Sequence, residues 1–312
     1  MAARNFTGDG QQKTFNELLC SPDLTIALHG QLTVLSIFNS FLSVTAFLGN
    51  ALILIALHKE SSLHPPSKLL LRCLATTDLC VGLISEPLTV TFWMSVVNKN
   101  WTICRYSFVT GFITGCILCG VSFGTMTAIS VDRLLALLLG LRYRQVVTLK
   151  RTYMIAIILW FWPAAFSAIH FWIPLVTFLH GIIFISLCFT ISIFSYTKIF
   201  LTLRHHQNQV QGHFQKPNQT NQLHMGRYKK AVSSAIWLQL TLVACYLPIG
   251  VVEAFRFKSG KSSSLYHAWS CAATLVYLNS SLNPILYCWK LDEVRQAVKD
   301  TIKQVRPCCC TS

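Results

Sequence analysis

Seven charged side chains, Arg72, Asp78, Glu86, Asp132, Arg133, Lys198 and Glu253, stand inside stretches that are otherwise free of charge. A charge among apolar neighbours is expensive and is kept where it pairs, holds a cation or serves function. Asp78 is the clearest case, since a lone carboxylate there must be protonated, paired or bound to a cation. Ser122 lies ten residues before Asp132, about 15 Å along a helix, which brings it to a similar depth. Asn279 and Asn283 are four apart and share one helix face. Pro248 and Pro284 each remove a backbone hydrogen bond and give their helices a place to bend. Toward the other end of the same stretches come Glu86, eight residues past Asp78, Glu253, five past Pro248, and His180, His267 and Tyr277. Glu86 is thereby about 12 Å farther along its helix than Asp78. Two acids at an open vestibule favour a cationic ligand, a basic peptide among them.

The elements that must position these residues are membrane helices. Of 312 residues 53% are hydrophobic and 12% charged, and mean hydropathy is +0.50. A soluble domain carries about a quarter charged residues, so much of this surface must face lipid. Gln31 to Leu57 has no Asp, Glu, Lys or Arg across 27 residues, more than the roughly 20 that span hydrocarbon. Six more such blocks follow, near 69–97, 106–139, 152–173, 175–203, 231–255 and 265–289. The expectation is an all-α, seven-transmembrane helix bundle over 31–289. An outer tail (1–30) precedes it and a cytoplasmic amphipathic helix with a Cys-rich tail (290–312) follows.

With the N-terminus outside, 19 of the 26 Lys and Arg fall on the inner side, as the positive-inside rule requires. The net charge of +15 is spread over loops and helix ends, which suits an anionic inner leaflet rather than nucleic acid. The first 21 residues are polar, so the first helix is expected to act as its own insertion signal. Asn5 and Asn100 head glycosylation sequons on the outer side. Past Trp289, Leu291, Val294, Val298, Ile302 and Val305 recur every three to four residues, an amphipathic helix suited to the inner membrane surface. Cys308, Cys309 and Cys310 follow as a juxtamembrane palmitoylation signal; the plain alternative is three free tail thiols.

Read in order, Gly49-Asn50, Leu74 to Leu79, Val131-Asp132-Arg133, Trp160, Tyr196, Cys245-Tyr246-Leu247-Pro248 and Asn283-Pro284-Ile285-Leu286-Tyr287 resemble the marks of the rhodopsin-like G-protein-coupled receptors. The resemblance covers nearly the whole chain. It implies a plasma-membrane receptor that binds an extracellular ligand and activates a heterotrimeric G protein. It also implies that Asp78, Ser122, Asn279 and Asn283 surround a sodium ion; the alternative is a polar network of waters without a specific ion. Asp132 would restrain Arg133 in the inactive state, and Tyr196 and Tyr287 would swing toward Arg133 on activation. Tyr246 stands where many members have Trp and would act as a packing switch; otherwise it is an ordinary core aromatic. No cofactor is implied beyond an allosteric sodium ion.

Several departures bear on function. Leu134 replaces the usual Tyr, and Arg227 to Lys230 offers no acid at the base of helix 6, so raised basal activity is expected. No cysteine lies between Cys119 and Cys188, so the family's usual disulfide to the second outer loop cannot form. Cys20, Cys104 and Cys271 are the outer-face cysteines, and three thiols allow one pair and leave one over. That outer loop is nearly absent, and Cys188 stands where helix 5 usually has proline. Together these look like the melanocortin receptors, with adenosine, cannabinoid and lysophospholipid receptors as a wider group and cnidarian orphan receptors similar in the inner stretch. Missing coding sequence is a second reading of the short loop. Gly115 replaces the carboxylate that aminergic receptors carry, and helix 7 has no Lys for retinal. A decoy receptor and a transporter are the competing functions; the paired broken halves of transporters are not seen. No enzyme motif is present in the sequence.

Overall fold

The computed structural model describes residues 20, 22–59, 63–169, 173–212, 237, 240–255, 263–290 and 292–309. Within them the elements are helices, and no strand occurs among the described residues. α1 spans Pro22–Lys59, α2 Pro65–Val97, α3 Trp101–Leu139, α4 Leu149–Ile169 and α5 Pro174–Gly212. α6 is described over Leu240–Phe255, α7 over Ser263–Lys290 and α8 over Asp292–Cys309. A one-turn helix, Tyr143–Val146, follows α3 on the inner side. Five of these helices are long and apolar enough to cross a membrane. α6 is described for 16 residues, and α7 carries the polar row Ser280, Ser281 and Asn283.

The bundle hides its small and polar residues and turns its large apolar ones outward. Ile37, Phe41, Tyr153, Ile158, Phe161 and Ile183 are exposed, whereas Asn39, Asn50, Asp78, Ser122 and Asn283 are buried. That is the pattern of a bundle solvated by lipid. Close backbone approach uses glycine: a Cβ on Gly82 would lie 2.8 Å from the Ser43 carbonyl of α1, and one on Gly120 2.8 Å from Pro163 Cβ of α4. Gly49 admits Pro284, whose Cγ would stand 3.0 Å from a Cβ there. Arg72 turns its guanidinium to the Leu57 carbonyl at the end of α1, 3.1 Å away, where α1 leaves acceptors unsatisfied.

Helix ends differ from the sequence-based expectation in identifiable ways. The outer tail, expected to reach 30, gives way to helix at Pro22, a residue preorganised for a first helical turn. Cys20 is tied to Cys104 at the head of α3 by a disulfide, which resolves the three-thiol ambiguity and leaves Cys271 free. α3 starts at Trp101 because the Asn100 side chain accepts from the Ile103 N–H at 3.2 Å, an N-cap. α5 runs on to Gly212, past the apolar block that ends near 203. α2 contains a π turn at Val81–Ser85 where the sequence reads as regular helix. In α8, Val294, Ala297, Val298 and Thr301 are buried on one face, and Val294, Ala297 and Val298 join Ile53, Ala56 and Leu57 of α1 in the inner core. Ile302 stays exposed. Asn5, the 227–230 segment and Cys310 lie outside the described residues, as do the side chains of Cys308 and Cys309.

Candidate functional site

A polar column runs through the bundle from the middle of α2 to the inner end of α3. At its upper end Asp78, 0% exposed, takes three hydrogen bonds. Asn283 Nδ2 donates to Oδ2 at 2.7 Å, Ser280 Oγ to Oδ1 at 2.9 Å and Ser122 Oγ to Oδ1 at 3.3 Å. Ser280 is not among the residues that the sequence singles out. It lies next to Asn279 in the chain, and the helix period alone does not choose between the two. Asn279 is fully buried, with neither amide atom partnered among the described residues. Asn283 Oδ1 is likewise uncommitted. Asn50 joins from α1, its Nδ2 donating to the Ser280 carbonyl at 3.0 Å, so α1, α2, α3 and α7 meet around one carboxylate.

At the inner end Asp132 is buried and doubly held. Tyr143 donates to its Oδ1 at 2.6 Å, and Ser67 of α2 to its Oδ2 at 2.8 Å. Arg133 Nε stands 3.9 Å from Oδ2, a long ion pair, with the side chain 27% exposed. Tyr143 can take this place because Gly140, at φ +49°, turns the chain sharply after α3, a conformation that favours glycine. Leu141, in that turn, is 98% exposed. The sequence singles out neither Ser67, Tyr143 nor Leu141, since their proximity to Asp132 depends on that turn.

The activation residues named from the sequence sit along the same axis. Tyr196 of α5 is buried and accepts from Ser130 Oγ at 2.8 Å, one helical turn before Arg133. Tyr287 is buried with its hydroxyl unpartnered among the described residues. Tyr246 packs its ring 5.1 Å from that of Phe123 in the core shared by α3, α5, α6 and α7. Pro248 is half-buried in α6, and Pro284 is buried in α7 against α1.

The five candidate ligand residues do not form one open vestibule. Glu86 is 0% exposed, with both carboxylate oxygens unpartnered among the described residues; it is sealed between helices. Tyr277 is buried too, its hydroxyl 2.8 Å from Thr89 Oγ1 of α2. Glu253 accepts from Trp269 Nε1 at 2.8 Å, tying α6 to α7. His180 belongs to the α4–α5 seam: its ring stacks on Phe166 at 3.5 Å, and Trp162 Nε1 donates to its Nε2 at 2.7 Å. His267 lies 3.7 Å from the Cys271 thiol within α7. No cluster of three or more metal-ligating His, Cys, Asp or Glu occurs among the described residues.

A helical membrane bundle whose buried polar column links a mid-membrane carboxylate to an Asp-Arg pair at the inner face has the build of a seven-helix receptor. The sequence profile of the 7 transmembrane receptor (rhodopsin family) matches residues 49–179 and 168–287, and the chain belongs to that family. Among similar proteins is the high-affinity lysophosphatidic acid receptor of Xenopus laevis, 24% identical over 85% of this chain and 80% of that protein. Adenosine receptor A3 of Ovis aries is 22% identical over 82% and 85%. Melanocortin receptor 5 of Rattus norvegicus is 23% identical over 93% and 88%. These relatives are receptors, not enzymes.

Proposed function

We propose that this chain is a plasma-membrane receptor, N-terminus outside, that binds an extracellular ligand, a peptide or a small polar molecule, and activates a heterotrimeric G protein. The observation that carries the reading is the hold on Asp132 by Ser67 and Tyr143 beside a partly exposed Arg133. Asp132 is thus fixed by contacts from α2 and the inner turn and in turn holds Arg133 at long range, and a movement that breaks this hold frees a guanidinium at the inner face. Leu141, standing out in the same turn, adds an apolar contact for the partner. Ligand binding outside acts by favouring one of two bundle arrangements.

The residues around Asp78 fit a sodium ion. Asp78, Ser122 and Ser280 supply carboxylate and hydroxyl oxygens, and the carbonyl oxygens of Asn279 and Asn283 are uncommitted among the described residues. An oxygen-only set suits a hard cation, which when bound neutralises Asp78 and ties α2, α3 and α7 together. Acylation at Cys308, Cys309 and Cys310 would fasten the end of α8, and glycans at Asn5 and Asn100 would mark the outer face.

The test is expression in cells reporting both cyclic AMP and calcium, with and without a panel of peptides and small polar or cationic molecules. The reading expects a ligand-free signal above vector control, and a further rise when external and internal sodium is replaced at constant ionic strength. A surface-expressed chain with no signal in any arm would favour the decoy alternative.

A further inference from the structure

Glu86 is a buried acid to which the receptor reading assigns no work inside the bundle. On a regular helix, eight residues past Asp78 lies about 80° around the axis, off the face that Asp78 presents. The π turn at Val81–Ser85 takes an extra residue and swings the rest of the helix back toward that face. Pro87 sits at the restart of the α register, where it cannot donate to the Leu83 carbonyl. Glu86 is therefore turned inward instead of toward lipid, fully buried, at the level where Ser85 and Thr89 of α2 meet Gly115 of α3 and Tyr277 of α7.

Nothing described there satisfies it. Both oxygens lack a partner among the described residues. Thr89 gives its proton to the Ser85 carbonyl at 2.9 Å, so the 2.8 Å contact to Tyr277 is donated by the tyrosine, and that hydroxyl has no second proton for Glu86. Across from them α3 offers Gly115, which has no side chain to donate; a Cβ there would already be 3.5 Å from Ser85 Oγ. The ionisable groups close enough to interact electrostatically with Glu86 are Asp78 along α2, Cys119 of α3 and Tyr277 of α7. α1 has none between Gln31 and Leu57. None of these groups is a cation at neutral pH.

The chemistry of the occupant is set by that poverty of ligands. A metal ion needs several oxygens, which Asp78 has and Glu86 has not. A ligand ammonium needs acceptors for three donors and an opening, and Glu86 is sealed. A proton needs neither. We propose that Glu86 is a proton-binding site, distinct from the Asp78 site, and that release of its proton drives α2 apart from α3 and α7 at this level. An ionised, unpaired carboxylate cannot stay in that junction without water or a partner, so the sealed arrangement is the protonated one. The inference stands apart from coupling to any G protein.

The experiment is infrared absorption of the full-length chain, ligand-free in lipid nanodiscs, in the region of the protonated-carboxyl C=O stretch. Wild type at neutral pH should show a band that Glu86→Gln removes and Asp78→Asn leaves. Raising the pH should bleach that band and lower the thermal unfolding midpoint of wild type, while the Glu86→Gln midpoint holds. Should Glu86→Gln fail to fold, Glu86→Asp keeps the carboxyl in a changed setting and should move the band. A carboxyl region identical in wild type and Glu86→Gln, a band unmoved in Glu86→Asp, or equal alkaline sensitivity of both midpoints would overturn the proposal.

Discussion

Asp132 is the residue whose surroundings say most about the resting state. Tyr143 and Ser67 each donate to one of its oxygens, while Arg133 is held at the longer distance of 3.9 Å. A hydrogen bond to a charged group contributes about 1.5–3 kcal/mol, and about 1.4 kcal/mol is a tenfold change in an equilibrium constant. Tyr143→Phe removes the shorter of the two bonds and leaves the ring against His64. It should raise ligand-free nucleotide exchange per surface receptor by roughly ten- to a hundredfold if all of that hydrogen bond is lost on activation. Unchanged exchange in the variant would mean that Tyr143 keeps its contact in both arrangements.

At the scale of elements, helix packing rests on a few positions where a side chain would not fit. Gly120 on α3 faces Pro163 of α4, with 2.8 Å available to a Cβ. Overpacking a tight interior costs about 1–3 kcal/mol, so Gly120→Leu should lower the thermal midpoint of the detergent-solubilised chain by several degrees. A midpoint equal to wild type would show that α4 shifts freely on α3. The same scale marks how far the sequence can be read. The spans are legible because they derive from charge depletion, whereas the grouping of Asp78 with Ser122 and Asn283 and the Asp132-Arg133 end are legible through the resemblance to the rhodopsin-like receptors. The π turn is not legible, and with it the inward aim of Glu86, since one extra residue in a turn leaves no compositional mark. Tyr143 escapes for a similar reason: its reach to Asp132 depends on the left-handed Gly140 turn. His180 resembles a pocket residue by depth alone, but its helix face turns toward Phe166 and Trp162 on α4.

Taken whole, the molecule is a bundle closed by lipid-facing apolar side chains around a polar axis, pinned at one end by the Cys20–Cys104 disulfide and at the other by α8 packed on α1. Asn279, Asn283, Tyr287 and Glu86 carry buried polar atoms without a partner among the described residues. The central claim is that this axis ends in Arg133 acting on a transducer. The direct measurement is nucleotide exchange by purified heterotrimeric G proteins in the presence of the reconstituted chain, wild type against Arg133→Ala, at matched receptor density. Arg133 is partly exposed and packs little, so the variant should keep its thermal midpoint and lose exchange down to the receptor-free rate. Exchange undiminished in Arg133→Ala would contradict that claim.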